Sequence, residues 1–270
     1  MVVQHNLSAI NTNRQMGVVT DALQKSTEKL SSGYKINRAA DDAAGLSISE
    51  KMRSQIRGLN KASDNAQDGI SLIQVAEGAL NETHSILQRM NELATQAAND
   101  TNTSVDRQSI KDEIEQLNEE LDRISSTTQF NKQDLLTGKF SGKLQVGALE
   151  GQTMDLKIST AVSSTGLKVK DIKVSTNENA GKAMKSIQDA IESVSKQRSK
   201  LGAIQNRLEH TINNLDTNAE NTQAAESRIR DTDMADEMVQ YSKNNILSQA
   251  GQSMLTQANQ QTQGVLSLLQ

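Results

Sequence analysis

The residues that could support catalysis or bind a metal are few and widely separated. The chain has three histidines, His5, His84 and His210. The pair Glu209–His210 lacks the second histidine of a zinc-binding helix. Asp41 and Asp42 could form an acid–base pair, but neighbouring carboxylates at a helix start usually interact with the helix dipole. Cysteine, a phosphate-binding glycine loop and a nucleophile-elbow motif are all absent. These patterns predict no enzyme, no cofactor and no metal site.

The composition favours long helices over a thick globular core. Among 270 residues there are two Phe, two Tyr and no Trp, so Ala, Leu, Ile and Met must do the packing. Such residues suit narrow seams between helices. Proline, which ends or kinks helices, is absent. We interpret Met90, Met238 and Met254 as core filler and not as a ligand-binding stripe.

Apolar spacing predicts several helices along the chain. The first covers about Leu7 to Ser32 and ends at Gly33, and a polar connector leads into a helix over residues 44–99. A shorter helix ends near Ser126, and the C-terminal part returns to helix, with a final helix over residues 234–269. Apolar positions recur every seven residues in two of these segments, as expected for coiled-coil-like seams within one subunit. The chosen seam residues are Leu72, Ile86, Ile187, Val194, Leu201, Leu208 and Leu215.

The two terminal helices carry apolar stripes that we expect to be completed by neighbouring copies of the chain. The residues predicted to pack in this way are Leu7, Ile10, Leu23, Leu30, Ile246, Leu255, Leu266 and Leu269. Their other positions are rich in Asn, Gln and Ser. We therefore expect these helices to fold when they assemble.

The region from about residue 138 to residue 175 changes to a period of two. Leu144 and Val146 face a second alternating run at Met154, Leu156 and Ile158 across a glycine-containing loop, which predicts a β-hairpin. A further alternation predicts one more strand or pair of strands, at Leu167, Val169, Ile172 and Val174.

The predicted fold class is mainly α: an elongated antiparallel helical bundle with coiled-coil-like seams and a small β-hairpin region. We divide it into an N-terminal helix and connector, two parts of a rod domain around the hairpin region, and a C-terminal helix. The boundaries are 1–43, 44–137, 138–175, 176–232 and 233–270.

Charge and hydropathy exclude several classes of partner. A net charge of −4 with interspersed signs predicts no binding to nucleic acid. No stretch approaches the roughly 20 apolar residues of a membrane span, so we predict no membrane partner. The N-terminus, MVVQHNLSAINTN, lacks the features of a cleaved secretory signal. A secreted chain of this kind would need a dedicated export machine.

Both ends of the sequence resemble one family. The segment from Glu28 to Leu80, beginning EKLSSGYKINRAADDAAG, closely resembles the N-terminal region of bacterial flagellin. The stretches LGAIQNRLEHTINNL, AAESRIRDTDMADEMV and ILSQAGQSMLTQANQ are similar to its C-terminal region. The resemblance implies a subunit that polymerises into the flagellar filament for swimming and is exported by the flagellar type III apparatus. It also implies as partners the cap and hook-filament junction proteins and an export chaperone at the C-terminal helix.

The resemblance further implies recognition by Toll-like receptor 5. The family pattern occurs here as LQRMNELATQAAN and, on the next helix, KDEIEQLN, which places the receptor contacts at Arg89, Leu93, Gln96 and Glu113. Leu93 also falls in the heptad seam and has the alternative interpretation of a core residue. In the connector, Arg38, Asp41 and Asp42 are candidates for salt bridges between subunits, with a solvated loop as the alternative.

The main alternative function is the hook-filament junction protein, a relative that shares KLSSG and the AADDAAG-like segment. The similarity of the C-terminal half favours flagellin. A role as adhesin or immune ligand would be a secondary property of the same filament.

Overall fold

The computed structural model describes residues 6–268, and the side chains of residues 6–261. The helices are α1 (Leu7–Ser32), α2 (Ala43–Ala97), α3 (Ser104–Thr127), α4 (Asn177–Arg230) and α5 (Met234–Leu268). The strands are β1 (Gln129–Phe130), β2 (Gln133–Asp134), β3 (Phe140–Gln145) and β4 (Thr153–Ile158). The prediction of a mainly α fold with a small hairpin region is therefore confirmed.

The chain divides into two compact units. One, the terminal unit, contains Met1–Ser54 and Glu220–Gln270, and the other, the central unit, contains Gln55–Ala219. Helices α2 and α4 contribute residues to both. The division into five segments remains a prediction.

In the terminal unit, α1 and α5 lie antiparallel. The Asn6 side chain caps α1 by accepting from the Ala9 amide at 3.0 Å, and its Nδ2 donates to the Ala258 carbonyl at 2.9 Å. At the other end of α1, Lys29 pairs with Glu237 at 3.4 Å. The helix ends at Gly33, whose φ of 76° is the left-handed conformation that favours glycine.

The central unit has a continuous apolar core built by α2, α3, α4 and β4. On α2 the fully buried row is Ile73, Leu80, Leu87 and Ala94. Of the predicted seam, six members are buried, namely Leu72, Ile187, Val194, Leu201, Leu208 and Leu215. Ile86 is only partly buried at the edge of this core. At this point of α2 the neighbouring residue, Leu87, fills the core in place of Ile86.

Polar contacts join α2 to α4 within the central unit. Ser63 donates to Asp216 at 3.0 Å, and Glu77 pairs with Arg198 at 3.7 Å, so the two helices are antiparallel here. In the terminal unit, Ser49, also buried, donates to Glu226 at 2.7 Å. Each serine is small enough to be enclosed between helices while its hydroxyl remains hydrogen-bonded.

Gln197 provides a second kind of polar link in the central unit. Its side chain is buried on α4, where Nε2 contacts the Lys157 carbonyl at 3.5 Å and Oε1 accepts from Thr160 at 3.4 Å. These contacts attach the end of β4 to α4.

The two strand pairs are antiparallel hairpins. Strands β3 and β4 pair from Phe140 with Ile158 to Gln145 with Thr153, and the apolar side of β4 is buried. The turn between β1 and β2 is made by Asn131 and Lys132, with φ values of 48° and 63°. Positive φ at both central residues is the geometry of a tight primed turn.

The prediction of a further strand at Leu167, Val169, Ile172 and Val174 is wrong. Residues 163–176 form turns and irregular backbone. Leu167, Val169 and Val174 are buried against the helices, so their alternation reflects packing without a partner strand. Two side chains of α3 hold this loop instead. Asn118 donates to the Val169 carbonyl at 3.2 Å, and Asp122 accepts from the amide and hydroxyl of Ser164 at 2.7 and 2.8 Å.

Among the described residues, no helix is long and apolar enough to cross a membrane.

Candidate functional site

The terminal helices carry most of the exposed apolar surface. The described residues include fourteen exposed large hydrophobic side chains, of which nine lie on α1 or α5. They are Leu7, Ile10, Val18, Met234, Met238, Val239, Ile246, Leu247 and Met254. Leu7 is 70% exposed and Ile246 is 66% exposed. An exposed apolar surface of this kind marks an interaction site.

The other residues predicted to pack in the filament core are less exposed. Leu23 and Leu30 on α1 and Leu255 on α5 are half-buried. The side chain of Leu266 and the whole of Leu269 lie outside the described residues. The exposed and half-buried residues together show that pairing α1 with α5 covers only part of each stripe.

Two of the three methionines interpreted as core filler are on this surface. Met90 is fully buried in the central unit, whereas Met238 and Met254 are exposed on α5. The interpretation is therefore wrong for Met238 and Met254 in the single chain. The reason is that, among the described residues, α5 packs mainly against α1, which leaves these two side chains uncovered.

The connector between α1 and α2 is folded by its own carboxylates. Asp41 Oδ2 accepts from the amides of Arg38 and Asn37 at 3.0 and 3.2 Å, and these hydrogen bonds lower the pKa of Asp41 below its ordinary value. Asp42 Oδ1 accepts from the Gly45 amide at 2.9 Å, at the start of α2. Arg38 pairs with Glu28 at 2.9 Å and keeps 73% of its side chain exposed.

A contact that the sequence patterns did not indicate joins the connector to the end of α4. The Lys35 amide donates to the Arg230 carbonyl at 2.6 Å, and the Thr232 amide donates to the Gly33 carbonyl at 3.1 Å. The Arg230 guanidinium lies 4.5 Å from the centre of the Tyr34 ring. The only signal for it in the sequence is that Tyr34 is one of the chain's few aromatic residues.

A second polar surface lies on α2 and α3 in the central unit. Arg89 on α2 donates to Glu113 on α3 at 2.9 Å and to Glu92 at 3.2 Å. These bonds, with Glu113 first, raise the pKa of Arg89 above its ordinary value. Gln96 is exposed one to two turns further along α2. Leu93, between them in sequence, is buried in the core, so its side chain supports this surface from below.

Within residues 6–268, no group of three or more His, Asp or Glu side chains is arranged to hold a metal ion.

Two family profiles match the chain. One, described as the bacterial flagellin N-terminal helical region, matches residues 3–141, and the other, the bacterial flagellin C-terminal helical region, matches residues 184–269. The chain belongs to the bacterial flagellin family. A flagellin of Halalkalibacterium halodurans is 57% identical over 273 aligned positions, with the whole of both chains covered.

Solved structures agree with this assignment. The crystal structure of Bacillus cereus flagellin is 32% identical and matches with a TM-score of 0.51, covering 60% of this chain and 94% of that one. A protein of Vibrio parahaemolyticus described as flagellar hook-associated matches with a TM-score of 0.61 at 12% identity, over 71% of this chain and 100% of that one. The second likeness shows the fold alone.

Membership of the flagellin family makes this chain a structural subunit of the extracellular flagellar filament, which is a homopolymer used for motility. The family consists of structural proteins and not of enzymes.

Proposed function

We propose that the chain polymerises by burying the exposed apolar side chains of α1 and α5 against other copies of itself. The observation that carries this proposal is the concentration of nine exposed large hydrophobic residues on these two helices. A second copy is the natural occupant because filament formation is the family's function. Covering the exposed part of each such side chain is worth about 1 kcal/mol.

Assembly would also complete the folding of the terminal helices. On α1 the only described side chain that is buried is that of Ser26, and on α5 it is that of Ala258. A helix whose apolar side lacks cover gains little stability from its backbone alone. We therefore expect α1 and α5 to exchange their amide protons quickly in the free subunit and slowly in the filament. Slow exchange of both helices in the free subunit would contradict this part of the proposal.

A pair of matched substitutions tests the assembly surface. Ile246→Ser removes an apolar side chain from α5, and Val75→Ser does the same at an exposed site on α2 in the central unit. We expect the first to raise the critical concentration for seeded polymerisation about ten-fold and the second to leave it unchanged. Equal effects of the two substitutions would show that polymerisation does not depend specifically on α5.

Electron microscopy of the purified protein separates the filament function from the alternative of a hook-filament junction protein. A filament subunit grows into fibres of micrometre length. Short assemblies that stop growing, with the same dependence on Ile246, would favour the junction function.

Arg38 is the connector residue that we propose for a salt bridge to another subunit. Asp41 and Asp42 already accept hydrogen bonds from their own backbone, so charge reversal at either would also disturb the connector. Arg38→Glu places repulsion beside Glu28 with a smaller effect on the backbone, and we expect it to change filament length or waveform. An unchanged waveform and unchanged swimming would remove Arg38 from the contact.

A second proposed function is recognition by Toll-like receptor 5 through the surface formed by Arg89, Gln96 and Glu113. The supporting observation is that Arg89 and Glu113 meet on the surface and that Gln96 is also exposed. Leu93 is buried and would act only by supporting that surface. We expect Arg89→Ala to weaken receptor binding about ten-fold or more. Lys111→Ala, which breaks an exposed pair with Glu115 on α3, is the control expected to have little effect.

The remaining partners are proposed from the same surface. The exposed apolar side of α5 would be covered by an export chaperone before assembly, and contacts to the cap and junction proteins would use the terminal unit.

A further inference from the structure

The lysines of the irregular loop 163–176 surround a cavity in the central unit. The cavity has a volume of about 420 Å³ and is bordered by the loop and by the first turns of α4. Four lysines line it, namely Lys168, Lys170, Lys173 and Lys182, against one carboxylate, that of Asp171. The cavity is therefore strongly positive, although the chain as a whole is acidic.

The charge belongs to a wider basic segment. Residues 132–185 contain nine lysines and five carboxylates, whereas the remainder of the chain contains twenty basic and twenty-eight acidic residues. Lys168, Lys170 and Lys173 form no ion pair with any carboxylate that the structure describes, while Lys182 pairs with Glu178 at 2.7 Å. The first turn of α4 adds the positive end of the helix dipole.

The backbone of the loop 163–176 is held so that these lysine side chains point toward solvent. Leu167, Val169 and Val174 are buried, so the intervening Lys168, Lys170 and Lys173 face outward and are exposed. Asn118 and Asp122 hold the loop from α3 at Val169 and Ser164. The lysines therefore project from a backbone that is hydrogen-bonded to α3.

Lys168 has a backbone conformation that favours glycine. Its φ is 59°, in the left-handed region that a residue with a side chain adopts only at a cost. The surrounding hydrogen bonds and buried neighbours maintain this conformation. A charged side chain at a position where glycine would be easier to accommodate is a sign of function at that position.

We infer that this cavity binds an oxyanion carried by a polyanionic glycan. Clusters of basic side chains recognise sulfated polysaccharides. Thr165, Asn179 and Ser186 supply hydroxyl and amide groups for sugar hydroxyls, and Ile172 and Ala183 supply an apolar wall. No aromatic side chain lines the cavity, so stacking of nucleic-acid bases is not provided for. The inference is independent of the assembly surface on α1 and α5.

The test compares two lysines that have the same backbone conformation. Lys132, in the turn between β1 and β2, has a φ of 63° but does not line the cavity. Lys168→Gly and Lys132→Gly therefore remove the same charge and relieve the same backbone strain. Both variants should keep or raise the melting temperature of the full chain. Binding is measured as the Kd for dextran sulfate in 0.15 M salt, with uncharged dextran as the blank.

We expect Lys168→Gly to weaken dextran sulfate binding about three-fold, in line with the loss of one exposed ion pair, and Lys132→Gly to leave it unchanged. Asp171→Asn should strengthen binding. Reversal of Lys168, Lys170 and Lys173 to Glu together should abolish it. Higher salt should weaken binding by the parent chain because exposed charges are screened.

Three outcomes would overturn the inference. Equal losses for Lys132→Gly and Lys168→Gly would mean that the polyanion is attracted by overall charge without a site. A DNA oligonucleotide that binds more tightly than dextran sulfate, with the same dependence on Lys168, would replace the glycan by nucleic acid. A Lys168→Gly variant with normal dextran sulfate binding but impaired polymerisation would assign the lysines to contacts between copies.

Discussion

The central and terminal units both rely on long helices, yet they bury them very differently. In the central unit α2, α3 and α4 close a continuous core, with Ile73, Leu80 and Leu201 fully buried. In the terminal unit the α1–α5 pair is held at its ends by polar contacts such as Asn6 with Ala258, while residues such as Ile246 remain exposed. The core of the central unit is closed within one chain, whereas α1 and α5 leave apolar side chains exposed, and we propose that further copies cover them. We therefore expect mutations to separate stability from assembly.

The largest expected effect comes from truncating the core. Leu201→Ala should lower the free energy of unfolding of the central unit by about 2–5 kcal/mol, because it leaves a cavity among buried neighbours. Leu247→Ala on α5, where the side chain is already exposed, should change the stability of the free subunit by less than about 0.5 kcal/mol. Urea denaturation followed by circular dichroism measures both. Comparable losses would mean that α5 is part of the same cooperative core.

A smaller effect is expected from the helix caps. Thr103 and Asp106 form a capping box at the start of α3 in the central unit. Thr103→Ala should lower the free energy of unfolding of that unit by about 1 kcal/mol. Asn6→Ala removes the cap of α1 and should leave the main unfolding transition in place while slowing seeded polymerisation. A shift of the main transition by Asn6→Ala would couple α1 to the central core.

Substitutions at two glycines should change the free energy of unfolding by an amount similar to, or slightly smaller than, that of the cap substitutions. A β-carbon at Gly78, within α2, would meet no atom within 4 Å, so Gly78→Ala should raise the free energy of unfolding by about 0.5–1 kcal/mol. At Gly33 the φ of 76° is unfavourable for alanine. Gly33→Ala should therefore shorten α1 and impair assembly without lowering the melting temperature of the central unit. Thermal scans and polymerisation assays on both variants check the two halves of this expectation.

The smallest effect concerns pH. In the central unit, hydrogen bonds from the Thr103 hydroxyl and, to a smaller extent, the Thr103 amide lower the pKa of Asp106. In the connector, hydrogen bonds from the amides of Arg38 and Asn37 lower the pKa of Asp41. A carboxyl with a lowered folded-state pKa stabilises the fold above its ordinary pKa, and that contribution is lost as pH falls through the lowered value. We expect acidification to increase amide exchange at Asn37 and Arg38. Asp41→Asn should remove this pH dependence, and its persistence in the variant would point to another group.

The helices could be predicted from the sequence because their signals are local and repeated. Gly33 ended the first helix where the pattern indicated, and the start of the last helix at Met234 followed from spacing alone. The seven-residue repeat from Ile187 to Leu215 identified residues that are all buried in the structure. Sequence periodicity reports which side of a helix is apolar, and the absence of proline allowed that signal to continue over many turns.

The remaining features depend on contacts distant in sequence. The alternation from Leu167 to Val174 suggested a strand, but Asn118 and Asp122 on α3 satisfy this loop instead. Whether Met238 is core or surface depends on how many helices surround α5, which an apolar stripe does not specify. The family motif placed Leu93 beside Arg89 in one contact surface. In the structure Leu93 is buried in the core, whereas Arg89 is exposed.

The hydrogen bond from Ser63 to Asp216 has a consequence for how α2 finds its place on α4. A seven-residue repeat allows more than one register, because sliding one helix by a full heptad again places apolar side chains against apolar side chains. The buried serine favours one register, because a shifted alignment would leave its hydroxyl without the Asp216 acceptor that it meets at 3.0 Å. Gln197, whose side chain contacts Thr160 and the Lys157 carbonyl, fixes in a similar way where the end of β4 lies along α4. A few polar atoms thus give a nearly periodic molecule a single alignment.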